Sequence, residues 1–155
     1  MRDLIEEASD ELKRVDHLVF VSLKYTRTVD VLLNAASRMI DAYEVMFITL
    51  LTKAKEDRKI GDIPDTPIEK GELIKELYSH DIQIKNNVDL FFLLRRIKRS
   101  KTYEKDEEYR RHVSLRTVID GREEVLNIDI ITKYYAFQKE FFQKVKDILN
   151  IYKTT

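Results

Sequence analysis

The chain has 155 residues, enough for one domain with one sizeable core. It contains no cysteine, which excludes disulfide scaffolds, thiolate metal sites and cysteine nucleophiles. Its 28 basic and 28 acidic residues cancel, so no global field draws it to nucleic acid or to a membrane surface.

Apolar residues make up 43% of the chain, which separates it from disordered sequences of similar charge. There are three glycines and two prolines, and the first glycine is Gly61, so long helices are expected. The start, MRDLIEEASDELKR, is charged throughout and does not read as a signal peptide. The one strongly apolar run is interrupted by Lys24, Arg27, Asp30, Arg38, Asp41 and Glu44, so no membrane span is expected. A soluble, cytoplasmic protein without a membrane partner follows as the expectation. High charge, scarce glycine and few glutamines suit a thermophile.

Residues 3–14 are helical in composition, with Leu4, Ala8, Leu12 and Val15 along one edge. They form a separate helix or the start of the next one. Residues 16–55 read as one long amphipathic helix. On a wheel of about 100° per residue, Lys24, Arg27, Asp30, Asn34, Arg38 and Asp41 share one arc. Leu18, Tyr25, Val29, Leu32, Leu33, Ala36, Met39, Ile40, Tyr43, Phe47, Leu50 and Leu51 lie opposite. Phe20, Leu23, Val31, Val45 and Ile48 intrude on the polar side. A helix that is apolar nearly all round is either central in the fold or covered by a partner.

Residues 56–65 carry Gly61 and Pro64 and read as a loop. Thr66, Pro67 and Glu69 then form a capping-box signature that starts a helix to about Ser79. Gly71 weakens that helix slightly. The pattern breaks at 80–85, and a further helix is expected from Asn87 to Lys101, with Leu90, Phe91, Leu94 and Ile97 on its apolar face. Asp120-Gly121 between two β-prone runs is a hairpin signal. A two-residue turn pairs Ile119 with Arg122, Leu115 with Leu126 and Val113 with Ile128. Asp129 reads as the N-cap of a last helix over 130–152, with a stripe of Ile130, Tyr134, Phe137, Phe141, Val145 and Ile148. The expected fold is one mainly α domain. It is an antiparallel bundle of four to five helices, with a β-hairpin at about 112–128 before the last helix.

The chemistry-bearing residues are few. His17, His80 and His112 have no partner at metal-ligand spacing. No Glu-x-x-His pair, phosphate-binding glycine loop or nucleophile elbow occurs. No metal, no cofactor, no small-molecule substrate and no enzymatic activity are expected. Basic residues do cluster. Arg95, Arg96, Lys98, Arg99 and Lys101 precede Arg110 and Arg111, with Tyr103 and Tyr109 interleaved. Cations beside aromatic rings suit single-stranded nucleic acid, through phosphate neutralisation and base stacking. Glu104, Asp106, Glu107 and Glu108 lie between the two basic groups and would cancel much of their field.

The stretch NAASRMIDAYEVMF, with Ala35, Ala36, Ala42 and Tyr43, and the antiparallel helices after it resemble the HEPN superfamily of small helical bundles. The resemblance covers about the first two-thirds of the chain. Catalytic members of that family place an arginine four to six residues before a histidine and act on RNA. His17, His80 and His112 all lack that arginine, so the family's catalytic residues do not carry over. The hairpin is a second departure. What the resemblance implies is a dimeric, non-catalytic bundle, of the kind that partners a nucleotidyltransferase.

Two readings of function follow. The first is a non-enzymatic protein-interaction module, a homodimer or the partner of another protein. Phe20, Leu23, Val45 and Ile48 would form its contact, and Arg27, Asp30 and Arg38 would fix orientation. The second is an RNA-binding protein using Arg95, Arg96, Lys98, Arg99, Tyr103, Arg110 and Arg111.

Overall fold

The computed structural model describes residues 2–149. The fold there is mainly helical, with five helices and one three-stranded antiparallel sheet before the last helix. Among the described residues no helix is long and apolar enough to cross a membrane.

The first helix, α1 (residues 2–25), is α-helical over Arg2–His17. It relaxes into a π-helical turn at Leu18–Ser22 and closes with a last α turn at Leu23–Tyr25. Ile5, Ala8, Leu12 and Val15 are buried at helical spacing. The early helix thus runs on through residue 25, and the expected single helix over 16–55 does not form. The chain breaks at residues 26–28, where Thr26 and Thr28 are extended. Thr28 then caps the second helix, α2 (Val29–Glu56), accepting the Val31 amide at 3.3 Å. The apolar pattern runs across this break, which hides it from periodicity. Arg27 lies in the break, so it shares no helix face with Asp30.

Helix α2 is the centre of the fold. Its alanines Ala35, Ala36 and Ala42 are fully buried, and every other helix packs against it. Helix α3 (Pro67–Leu77) starts as expected, with the Thr66 hydroxyl accepting the Glu69 amide at 3.2 Å. It lies so close to its neighbour that a Cβ on Gly71 would sit 2.9 Å from the Phe92 ring. That glycine permits close packing as well as weakening the helix.

Helix α4 (Ile82–Arg99) begins five residues earlier than its apolar pattern suggests. Asp81 sets the start. Its carboxylate accepts the Ile84 amide at 3.1 Å and pairs with Lys144 at 2.9 Å. Helix α5 (Ile128–Leu149) is capped by Asn127, whose side chain accepts the Ile130 amide at 2.8 Å. The expected cap, Asp129, is not the one used. The expected extension to 152 lies outside the described residues. The buried face of α5 is Ile131, Tyr135, Gln138, Phe141 and Val145; Phe141 and Val145 are as expected, and the first three lie one residue round from the expected Ile130, Tyr134 and Phe137. Gln138 sits in that face because its amide donates to the Met39 carbonyl at 2.8 Å.

An aromatic cluster fills the centre. Phe47 and Phe91 meet edge to face at 4.9 Å between ring centroids, with Tyr43 and Phe141 around them. The Tyr43 hydroxyl donates to the Asn87 side chain at 2.5 Å, which satisfies both buried groups.

The hairpin joins β2 (Ser114–Ile119) to β3 (Arg122–Asn127) in the expected register, Leu115 opposite Leu126 and Ile119 opposite Arg122. Asp120 and Gly121 both have positive φ, as a tight two-residue turn requires. The expected pairing of Val113 with Ile128 is absent, because Ile128 already belongs to α5. Val113, Leu115, Thr117 and Leu126 face the helices. A third strand, β1 (Glu104–Asp106), pairs antiparallel with β2.

Candidate functional site

The expected partner-contact residues do not share one exposed surface. Leu23 is fully buried and Val45 is 9% exposed, both in the chain's own core, and Ile48 is half-buried. A core side chain is already covered and has no area left to offer a partner. Phe20 remains, 49% exposed, with its ring 6.0 Å from that of Tyr135. Arg38 pairs along its own helix with Asp41 at 3.8 Å and reaches Glu11 at 4.0 Å. Asp30 is exposed in the first turn of α2.

The basic residues of α4 are partly spoken for as well. Arg95 is mostly covered, with its guanidinium 5.6 Å over the Phe91 ring and 3.5 Å from Glu44. Burial, and then the charge of Asp41, push the Glu44 carboxyl above its ordinary range, against the pull of Arg95. Arg96 pairs with Asp120 and so staples α4 to the hairpin turn. Arg99 lines a small groove between α3 and α4 with Ile68 and Glu72. Lys98 is exposed.

Of the other expected residues, Arg110 and Arg111 follow directly on a segment that is bonded to the α1–α2 break, and Tyr103 lies beside β1. The segment after β1 folds back onto that break. The Tyr109 amide donates to the Arg27 carbonyl at 2.6 Å, and the Glu108 carboxylate accepts the Val29 amide at 3.0 Å. Glu108 thereby adds a negative charge at the α2 N-terminus, where it is favoured. Glu107 and Tyr109 both hold positive φ, at 51° and 68°. A non-glycine residue in that region costs energy and persists only where its surroundings over-determine it. Here the two hydrogen bonds to residues 27 and 29 supply that constraint.

The result is a surface of aromatic rings and cations. Tyr109 and Tyr25 are each 78% exposed. They flank a junction in which the backbone of one segment is bonded two residues from the other tyrosine. Lys24, Arg27, Arg110 and Arg111 lie within two residues of them in the chain, with the Lys24 ammonium 6.0 Å from the Tyr25 ring. Along the sheet the surface continues through Lys105 to Tyr103, with the Lys105 ammonium 6.0 Å from the Tyr103 ring. Tyr103 lines an open depression of about 700 Å³ beside β1 and β2, together with Lys101 and Arg116. The segment leading into it is fixed by Thr117, whose hydroxyl bonds Ser100 at 2.6 Å and the Thr102 carbonyl at 2.9 Å.

Three of the four intervening acids are bonded to specific partners. Arg116 holds Asp106 at 2.5 Å and Glu104 at 2.6 Å. Its hydrogen bond keeps the Asp106 carboxyl below the usual carboxylate range, against a smaller opposing push from burial. Glu108 is taken by the α2 amide and by Lys105 at 3.7 Å. Glu104 and Glu107 are both exposed, and for Glu107 no bond to a basic side chain is found among the described residues.

Sequence reasoning assigned Tyr25 to an apolar face and Arg27 to a helix, and so missed both as neighbours of Tyr109. The sequence does carry one signal for the break: Thr28 followed by Asp30 is a helix-start pattern. The three histidines are exposed, and no cluster of His, Asp or Glu among the described residues could hold a metal. No known protein family, curated protein or solved structure matches this chain.

Proposed function

We propose that this protein is a non-enzymatic binding module for single-stranded RNA. Its working surface runs from Tyr25 and Arg27 across Tyr109, Arg110 and Arg111 to Lys105 and Tyr103. The observation that carries the reading is the pair of tyrosines left 78% exposed at one junction, with Lys24, Arg27, Arg110 and Arg111 within two residues of them in the chain. An exposed ring offers a stacking face, and base–aromatic stacking contributes about 1–3 kcal/mol per base. Lysine and arginine around the rings neutralise phosphates. A duplex keeps its bases stacked on one another and presents no free base face to these rings, so a single strand fits better. The assignment leaves aside Arg95 and Arg96, whose charges are used inside the chain.

The test is a titration of a labelled single-stranded oligoribonucleotide followed by anisotropy at several salt concentrations. The double variant Arg110→Glu/Arg111→Glu should weaken binding. It should also reduce the salt slope by about 1.4, two single-strand phosphate contacts at about 0.7 each. Lys98→Ala/Arg99→Ala should leave both quantities near wild type. The reverse pattern would move the site to α4 and refute the assignment.

A further inference from the structure

A second surface lies beside the core-facing edge of α1, in a groove between α1 and α5. Its floor is Leu12, Val21, Tyr135 and Phe142, and its open volume is about 540 Å³. The π-helical turn at Leu18–Ser22 borders it. A π turn carries an extra residue and turns side chains away from the regular helical face. Here it leaves Phe20 and Val21 exposed at 49% and 41%.

The rim is basic. Lys139 lies 4.7 Å over the Tyr135 ring and Lys146 lies 4.8 Å over the Phe142 ring. Lys13 and His17 face them from α1. The acid in the lining, Asp16, accepts a hydrogen bond from the Tyr135 hydroxyl at 3.1 Å. Lys13 touches Asp10 at 4.0 Å, with both side chains well exposed. Among the described residues no ion pair is found for His17, Lys139 or Lys146. The lysine stems cover the aromatic floor while their charges stay at the edge.

We propose that this groove docks an acidic amphipathic helix from a protein partner. Apolar residues at i, i+3/i+4 and i+7 would displace the lysine stems from Tyr135 and Phe142. Glutamates or aspartates on either side would pair with Lys13, His17, Lys139 and Lys146. A second copy of this chain is a poor occupant, because a two-fold contact here would set lysine against lysine. The groove shares no residue with the tyrosine surface proposed to bind RNA, although Val21 lies one helical turn before Tyr25.

The probe is a capped peptide of about 16 residues, long enough to be helical, with leucines in one stripe and glutamates elsewhere. A peptide of the same composition with the leucines scattered is the control, and calorimetry reads both. The stripe peptide should bind at least about tenfold tighter than the control. Lys139→Glu/Lys146→Glu should remove that advantage, and Tyr109→Ala should leave it intact. Should the double variant fail to fold, Lys13→Glu, at a well-exposed side chain, serves in its place. Equal binding of the two peptides would overturn the proposal. So would a stripe advantage that survives the groove variants, peptide-independent self-association through these lysines, or groove variants that weaken RNA binding alone.

Discussion

The helical core and the layer over residues 100–128 are held together by different means. Around α2 the contacts are apolar and aromatic, as in the meeting of Phe47, Phe91, Tyr43 and Phe141. The sheet does bury Val113, Leu115 and Leu126, but its outer side and its loops depend on polar pairs. Arg116 bridges Glu104 and Asp106, Arg96 reaches Asp120, and Glu108 and Tyr109 bond residues 29 and 27. Apolar burial fixes a fold without exposing anything that could recognise a ligand. Exposed polar pairs contribute little stability each, but they hold charged and aromatic groups in place at the surface. The proposed site therefore sits on the weaker layer, anchored to the strong one at the start of α2.

The largest test of this contrast is Phe47→Ala. It removes a fully buried ring from the cluster and should cost about 3–5 kcal/mol, read as a fall in the denaturant midpoint. Protein that remains folded should bind RNA as before. A large loss of affinity at unchanged stability would mean that core and site are not separable in this way.

A smaller effect is expected at Asp81, where the core is joined by a polar contact. Burial pushes its carboxyl up, but the Lys144 and Ile84 hydrogen bonds outweigh this and hold it below the ordinary range. A carboxyl depressed in the folded state contributes fully above its unfolded pKa of about 3.9 and loses that contribution as pH falls through the folded value. Asp81→Ala should therefore cost about 1 kcal/mol at neutral pH, the usual worth of an N-cap. The gap from wild type should close under acid conditions. A gap that is constant with pH would remove the charge from the explanation.

Glu108→Ala should have the least effect on global stability, about 1 kcal/mol or less. Its consequence should be local. The Val29 amide should exchange faster, and RNA affinity should fall because Tyr109 loses its second tether. Unchanged exchange at Val29 would show that the loop does not brace the helix start.

Much of the architecture can be read from the sequence because its signals are local. Asp120-Gly121 sets the hairpin register, and Thr66-Pro67 with Glu69 sets the start of α3. The misses have non-local causes. The break at 26–28 lies inside a continuous apolar pattern, and it is stabilised by Glu108, far away in the chain. Strand β1 reads Glu-Lys-Asp, with no apolar alternation, and owes its place to Arg116. The first half of the buried face of α5 is turned by one residue, where Gln138 finds the Met39 carbonyl. The cations of the proposed site were partly visible as a basic run beside tyrosines. Joining them to Tyr25 and Arg27 takes two non-glycine residues at positive φ, for which the sequence offers no marker.

The account is tested most directly by titrating labelled single-stranded RNA and a matched duplex into wild type and Tyr25→Ala/Tyr109→Ala, at about 150 mM salt, where exposed charges more than about 8 Å apart are largely screened. Wild type should prefer the single strand, and removing the two rings should weaken that preference by at least about tenfold, since each stacked base is worth about 1–3 kcal/mol. Equal affinity for strand and duplex, or a variant indistinguishable from wild type, would contradict stacking on these tyrosines.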